Sequence, residues 1–429
     1  MADGTLAGGK PRSDTPDPSA GAARAAAEAA ARHGYGRLLA FLAARTGDVG
    51  AAEDALADAF AAALSDWPAS GIPDRPEAWL LTVARRRLID AVRRRQTTAL
   101  AETELRRTMV ARAIGSRRAT IPDHRLALMF VCAHPAIDPG IRAALMLQTV
   151  LGFDAASIAS AFLVSPVAMR QRLARAKTKI RQAGIAFRVP DRALLAERLP
   201  AVLDAIYAVY SEGWSDPAGT DSRRSNLAGE GLWLGRLVTA LLPDEPEALG
   251  LLALMLHAEA RRGARRDASG GYVPLDAQDP VAWDPATIAE AEALLFRAAA
   301  AGRPGRYQLE AAVQSAHAAR RLTGRTDWAA ILGLYDALAT LTGSPVVAIN
   351  RAVAVAECAG AKAGLAALES AAAGGRLADY QPYWAARAGL LARRGAAGPA
   401  REAYRRAIGL ERDRAVRDFL IARAAALPP

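Results

Sequence analysis

The sequence predicts an all-α chain, and three observations carry that reading. Alanine is abundant while aromatic residues make up only 6%, alternating β-branched runs are missing, and apolar residues recur at spacings of three and four along most of the chain. With 429 residues the chain has the length of two or three domains with cores of ordinary size.

The elements follow in order. Residues 1–24, rich in Gly, Pro, Asp and Ser at their start, read as a disordered tail without the apolar stretch of a secretory signal. From Tyr35 to Leu64 the positions Leu38, Leu39, Leu42, Val49, Ala52, Leu56, Phe60 and Leu64 repeat at helical spacing, interrupted at Thr46-Gly47-Asp48, which predicts two helices and a turn. A Pro/Gly loop, Trp67 to Pro76, comes next. Pro76 suits the first turn of a helix bearing Trp79, Leu80, Val83, Leu88 and Val92, studded with Arg85-Arg86-Arg87 and Arg93-Arg94-Arg95. Residues 98–122 are polar and weakly periodic and read as a linker.

A second helical group spans 123–188. Asp154 is placed to cap a short helix to Phe162, the turn Leu163-Val164-Ser165 follows, and Ser165-Pro166 is a cap and first-turn start for a helix reaching Gln182. On that helix Met169, Leu173, Ala176 and Ile180 share one face, while Val167, Arg170, Gln171, Ala174, Arg175 and Lys177 point elsewhere. Two helices joined by a tight turn, the second apolar behind and basic in front, match the helix-turn-helix arrangement that enters a major groove.

Residues 189–429 read as helical segments in regular succession: Leu227–Leu242, Glu245–Arg262, Pro285–Ala301, Arg306–Leu322, Asp327–Leu341, Val346–Cys358, Tyr380–Arg394 and Pro399–Leu410. The insert Asp267 to Asp284 is a long loop. Stacked hairpins forming an α-solenoid are expected, and Trp384, Ala400, Tyr404 and Ala407 sit at the spacing of a tetratricopeptide (TPR) repeat.

Charge separates the two parts. Residues 1–190 carry 27 Lys and Arg against 17 Asp and Glu, whereas residues 191–429 carry 28 against 27. A polyanion-binding first half and a neutral second half is the simplest division of labour. Only Cys132 and Cys358 occur, too few for a disulfide framework, which suits a reducing cytoplasm. No apolar run long enough to cross a membrane is seen. Walker, G-x-G-x-x-G, H-E-x-x-H and G-x-S-x-G motifs are missing, and His33, His124, His134, His257 and His317 are scattered, so no enzyme, metal or cofactor site is expected. Cys132-Ala133-His134 reads as a helix-end packing motif, and Tyr210–Trp214 as a helix ending at Gly213.

Particular strings then resemble a family. "AAEDALADAFAAAL" (Ala51–Leu64) is similar to the polymerase-binding helix of region two of sigma-70-type sigma factors of the extracytoplasmic-function (ECF) class. "PEAWLLTVARRRLIDAVRRR" (Pro76–Arg95) is similar to their promoter-melting helix, and "LGFDAASIASAFLVSPVAMRQRLARAKTKIR" (Leu151–Arg181) to region four. "VCAHPAI", "AGIAFRVP", "LLPDEPEALGLLALML", "GRYQLEAAV" and "AINRAVAVAE" resemble the ECF subgroup that has a C-terminal TPR-like extension. Departures are Ala57-Asp58 where the family usually has Gln-Glu, Arg86 where Asn is common, and "AVYSEGW" in place of an Asn-Glu-Gly-Tyr ending.

The resemblance implies region two over 25–97, region four over 123–188 and a TPR-like domain over 189–429. It implies a protein that is not itself an enzyme but binds core RNA polymerase and directs it to promoter DNA. Asp54, Asp58 and Phe60 would dock on polymerase, with Phe60 otherwise a core residue. Arg75, Trp79, Arg85, Arg86, Arg93 and Arg94 would hold the opened strand, with Asp66 to Arg75 as the specificity loop and Trp79 otherwise core. Ser165, Val167, Arg170, Gln171, Arg175 and Lys177 would read the upstream duplex, and Lys179 and Arg181 would touch phosphates. The TPR-like part would bind a protein ligand and regulate the sigma core. The rival readings are a helix-turn-helix regulator acting without polymerase and a helical scaffold.

Overall fold

The computed structural model describes residues 18–96, 123–162, 164–214, 222–372 and 377–428. All regular elements among them are helical, apart from one isolated bridge between Arg266 and Tyr272. None of these helices is long and apolar enough to cross a membrane. The chain divides into two compact units, Met1–Val202 and Leu203–Pro429.

The first unit opens with α1 (Pro18–Thr46) and α2 (Val49–Ser70), joined by the short turn at Gly47. α1 begins inside the expected tail: Ala23, Ala27 and Ala30 are buried, so a small-residue stripe gives those turns a packing face. Asp48 caps α2 by accepting from the Ala51 amide at 3.1 Å. Leu38, Leu39, Leu42, Val49, Ala52 and Leu56 are buried, but Leu64, at the same helical spacing, is 49% exposed.

α2 also overruns the expected loop. Pro68 costs it a backbone hydrogen bond without breaking it, the buried Trp67 anchors the last turn, and Gly71 (φ 86°) ends the helix, its N–H on the Trp67 carbonyl at 3.0 Å. The loop before α3 (Pro76–Gln96) is therefore only Gly71 to Arg75, shorter than Asp66 to Arg75. Arg37 on α1 is ion-paired with Glu77 on α3.

The expected linker, 98–122, lies outside the described residues. The chain resumes with α4 (Arg125–Cys132), α5 (Pro139–Leu151), α6 (Ala155–Ala161) and α7 (Pro166–Gln182). α5 is buried along most of its length and packs on α1 through a close backbone approach. A Cβ on Gly36 would stand 2.0 Å from the Val150 carbonyl oxygen, and Gly152 (φ 78°) lies under the Tyr35 ring.

α8 (Arg192–Trp214) follows, and the residues after Trp214, where the expected helix end at Gly213 would be tested, lie outside the described residues. The second unit continues with α9 (Ser222–Leu241), α10 (Pro246–Ala260), α11 (Pro285–Ala300), α12 (Arg306–Ala318), α13 (Arg320–Thr323), α14 (Trp328–Thr342) and α15 (Pro345–Ala359). It closes with α16 (Ala361–Ala372), α17 (Gln381–Arg393), α18 (Ala397–Leu410) and α19 (Arg414–Ala425).

Packing in this unit is between elements near in sequence: α10 on α11 and α12, α15 on α16, α17 on α18. Helical periodicity does not predict α16 and α19. Both are short, twelve residues each, and α16 is alanine-rich with only Leu365 and Leu368 as bulky apolar residues. α10 is buried on almost all sides, from Pro246 to Ala260. Its Glu247 accepts from the amides of Tyr307 and Gln308 at the start of α12, at 3.0 and 3.2 Å.

Candidate nucleic-acid interface

α6 and α7 meet across the short turn that ends at Ser165. Asp154 accepts from the amides of Ala156 and Ser157 at 2.9 and 3.0 Å, starting α6. The Ser165 hydroxyl accepts from the Ala168 amide at 3.2 Å and Pro166 occupies the first turn of α7. Ser165 therefore serves as a cap. Met169, Leu173, Ala176 and Ile180 form the buried face of α7, while Val167, Arg170, Gln171, Ala174 and Arg175 are exposed.

The two halves of α7 have different surroundings. Its first half presents Val167, Arg170, Gln171 and Arg175 outward, a face with two guanidiniums and one amide that matches base edges and phosphates of a duplex. Its second half is turned onto α2. Lys177 is ion-paired with Glu53, the two side chains being 16% and 14% exposed, and Arg181 reaches Asp48 at 3.3 Å. Lys177 thus does not share the outward face of Arg170, Gln171 and Arg175, and Arg181 is also engaged by α2. Two carboxylates far away in sequence claim these cations, which helical periodicity could not reveal. Lys179 remains exposed and shares an open groove with Arg172 and Arg175, next to Asp138 at the start of α5. Arg172 donates to the Gly140 carbonyl at 3.0 Å.

On α3, Arg86 is exposed, as is Arg75 in the preceding loop. Arg85 is not free to follow a backbone in the same way. Its guanidinium lies over the Phe41 ring, 4.9 Å from the centroid, and its Nε is buried without a partner. Burial, followed by the neighbouring Arg45 charge, lowers its pKa. Trp79 is half-buried and meets the fully buried Trp67 edge to face at 5.5 Å, a packing contact that leaves part of its ring accessible. The side chains of Arg93 and Arg94 lie outside the described residues.

The outer face of α2 carries Asp54 and Asp58, both exposed, and the half-buried Phe60. Asp58 lies 3.8 Å from Arg87. One turn beyond Phe60 comes Leu64, whose exposure, together with that of Ala57 and Ala61, makes an apolar stripe flanked by carboxylates. Periodicity alone places Leu64 inside. Its i, i+4 relation to Phe60 was the available signal for a joint surface. Cys132 ends α4 with its thiol 3.3 Å from the Thr149 hydroxyl, and burial pushes its pKa up to about 12. His134 accepts from the Ala136 amide at 3.1 Å, so both residues serve the helix end.

Comparison with known proteins bears on these surfaces. Residues 31–98, covering most of α1 with all of α2 and α3, match sigma-70 region 2. The first three helices thus carry a sigma-70 region 2 domain. This sigma-70 region 2 supports a role as an RNA polymerase sigma factor that contacts core polymerase and promoter DNA. Residues 198–299 match a family of unknown function, DUF6596. The chain is also 43% identical over 366 residues to the uncharacterized protein R00370 of Rhizobium meliloti (strain 1021), covering 84% of this chain and 86% of that one, so the two belong to one family. No solved structure matches.

Proposed function

We propose that this protein is an ECF-type sigma factor whose two DNA-contacting helical modules are carried to a promoter by core RNA polymerase. The observation that carries the reading is the outward half of α7, where Arg170, Gln171 and Arg175 stand free of the α2 contact, in the same compact unit as region 2.

Each surface has a distinct role. Asp54 and Asp58 pair with basic groups of polymerase while Phe60 and Leu64 fill an apolar pocket, an arrangement in which charge steers and the desolvated anchor holds. Opening the duplex costs stacking. The Gly71–Arg75 loop and α3 offset that cost by holding the unpaired strand, with Arg75 and Arg86 on phosphates and Trp79 beside a base. Residues 123–188, acting as region four, place the start of α7 in the major groove upstream, where Arg170 and Arg175 reach guanine or phosphate and Gln171 reaches adenine. The second unit acts as a TPR-like array that binds a protein ligand and regulates or supports the sigma core. A cytoplasmic location follows from such partners.

Run-off transcription with purified core polymerase tests the reading. A sigma factor gives promoter-dependent transcripts. A helix-turn-helix regulator acting alone gives none.

A further inference from the structure

The Tyr210–Trp214 tract has no part in the function proposed above, yet its surroundings are unusual. Along the end of α8, Tyr207 stacks near Tyr210 with centroids 6.4 Å apart, and Tyr210 near Trp214 at 5.9 Å. Three guanidiniums converge on the Trp214 ring: Arg265 at 4.2 Å, Arg262 at 5.1 Å and Arg261 at 5.6 Å. They come from the end of α10 and the helical turn Arg262–Arg265 that follows it. Arg266 completes the run beside the Tyr272 ring.

Among the described residues, the charges in this cluster do not balance. Glu259 holds Arg262 through two hydrogen bonds of 2.7 and 2.8 Å, and Asp413 holds Arg266 at 2.5 Å. Arg261 donates instead to the neutral Gln314 side chain at 3.2 Å, and Arg265 to the Trp214 carbonyl at 2.9 Å. Among the described residues, no carboxylate lies within ion-pair distance of Arg261 or Arg265. The Nε of Arg261 and both Nε and Nη1 of Arg266 are buried without a hydrogen-bond partner.

Burial first, and then the charges of its arginine neighbours, holds Arg265 down to about 10, and burial lowers Arg261 as well. Both guanidiniums nevertheless stay charged at neutral pH. His257 and His317, beside Arg261 in a small cavity with Gln314, bring no counter-charge. Desolvated cations without a counter-charge are costly. Guanidinium edges pair two donors with the oxygens of a phosphoryl or carboxylate group, while an aromatic face leaves those edges available.

We propose that Arg261 and Arg265, backed by Trp214, form a binding site for the oxyanion group of a small soluble ligand. The site lies wholly in the second unit and does not depend on the sigma-factor reading. It gives the Tyr210–Trp214 tract a role, because the aromatic ladder fixes the indole against which the guanidiniums are aligned.

The test uses the full chain, titrated with sodium phosphate, sulfate or acetate against sodium chloride at matched ionic strength, while the thermal midpoint is read. A saturable rise with phosphate and sulfate marks a phosphoryl-type ligand, and one with acetate a carboxylate. Arg265→Met removes a desolvated cation, so its midpoint without ligand is expected to match or exceed the parent's, while its apparent oxyanion affinity falls at least tenfold. Arg261→Gln behaves likewise. A second measurement needs no variant: an arginine-selective dicarbonyl reagent, mapped by peptide mass, should label Arg265 at least fivefold more slowly in saturating oxyanion. The proposal is overturned if no oxyanion raises the midpoint beyond chloride, if both variants keep the parent's response, or if the labelling rate is unchanged.

Discussion

The ammonium of Lys177 on α7 is paired with the carboxylate of Glu53 on α2, across a contact that is mostly closed to solvent. Burial raises the Glu53 pKa despite the opposing pull of Lys177, and the second carboxylate oxygen, Oε1, is buried without a partner. This is a pair whose desolvation offsets much of its attraction, and removing one partner leaves the other charge stranded. Lys177→Ala should therefore destabilise the first unit by about 3 kcal/mol. Glu53→Leu combined with Lys177→Met should recover most of that loss. Scanning calorimetry of the parent and these two variants decides it; equal losses in the single and double variants would contradict the account.

A tighter test of the same unit lies at Gly36. There α1 and α5 approach so closely that a Cβ would meet the Val150 carbonyl at 2.0 Å, and backbone cannot yield as a flexible side chain can. Gly36→Ala is expected to force the helices apart and lower stability by about 1–3 kcal/mol, the range for an overpacked core. Gly50→Ala is the control, since the nearest atom to a Cβ there is the Asp48 carboxylate at an ordinary 3.5 Å. The unfolding midpoint of the first unit should drop for the former and hold for the latter.

The outward half of α7 makes a separable prediction about DNA. Gln171→Ala and Arg170→Ala should each weaken binding to a cognate promoter by about 1–3 kcal/mol for every base interaction removed, and relax preference at that base pair. Arg86→Ala on α3 should weaken binding to every sequence alike and make it less sensitive to salt. Binding of the polymerase complex to promoter variants over a salt series separates the two patterns.

Much of this was legible in advance, for identifiable reasons. Ser165-Pro166 and Asp154 act locally, so the caps and the buried face Met169, Leu173, Ala176 and Ile180 could be read from spacing alone. The tertiary partners could not. Lys177 and Arg175 look alike in a helical projection, and only the folded chain brings Glu53 to one and leaves the other exposed. Leu64 satisfied the apolar period while facing outward, because periodicity finds a stripe without showing what covers it. Pro68 suggested a break that the buried Trp67 overrides. The arginine cluster around Trp214 joins segments about fifty residues apart, and neither segment signals the other.

The buried His257 and the half-buried His317 set an acid limit for the second unit. His317 packs edge to face on Trp328 at 5.5 Å, and burial, followed by the charges of Arg261 and Arg320, depresses its pKa from 6.5 to about 4. His257 is lowered in the same direction by burial, although Glu292 lies 3.4 Å from its Nε2. A histidine held neutral in the folded state binds its proton more readily once unfolded. The stabilisation is therefore complete above pH 6.5 and drains away as pH falls toward 4. For His317 alone the loss approaches about 3 kcal/mol. The calorimetric midpoint of the second unit should fall steeply between pH 6.5 and 4.5, and His317→Gln should flatten that slope while lowering the midpoint at pH 7 only modestly. An unchanged slope in the variant would place the acid sensitivity elsewhere.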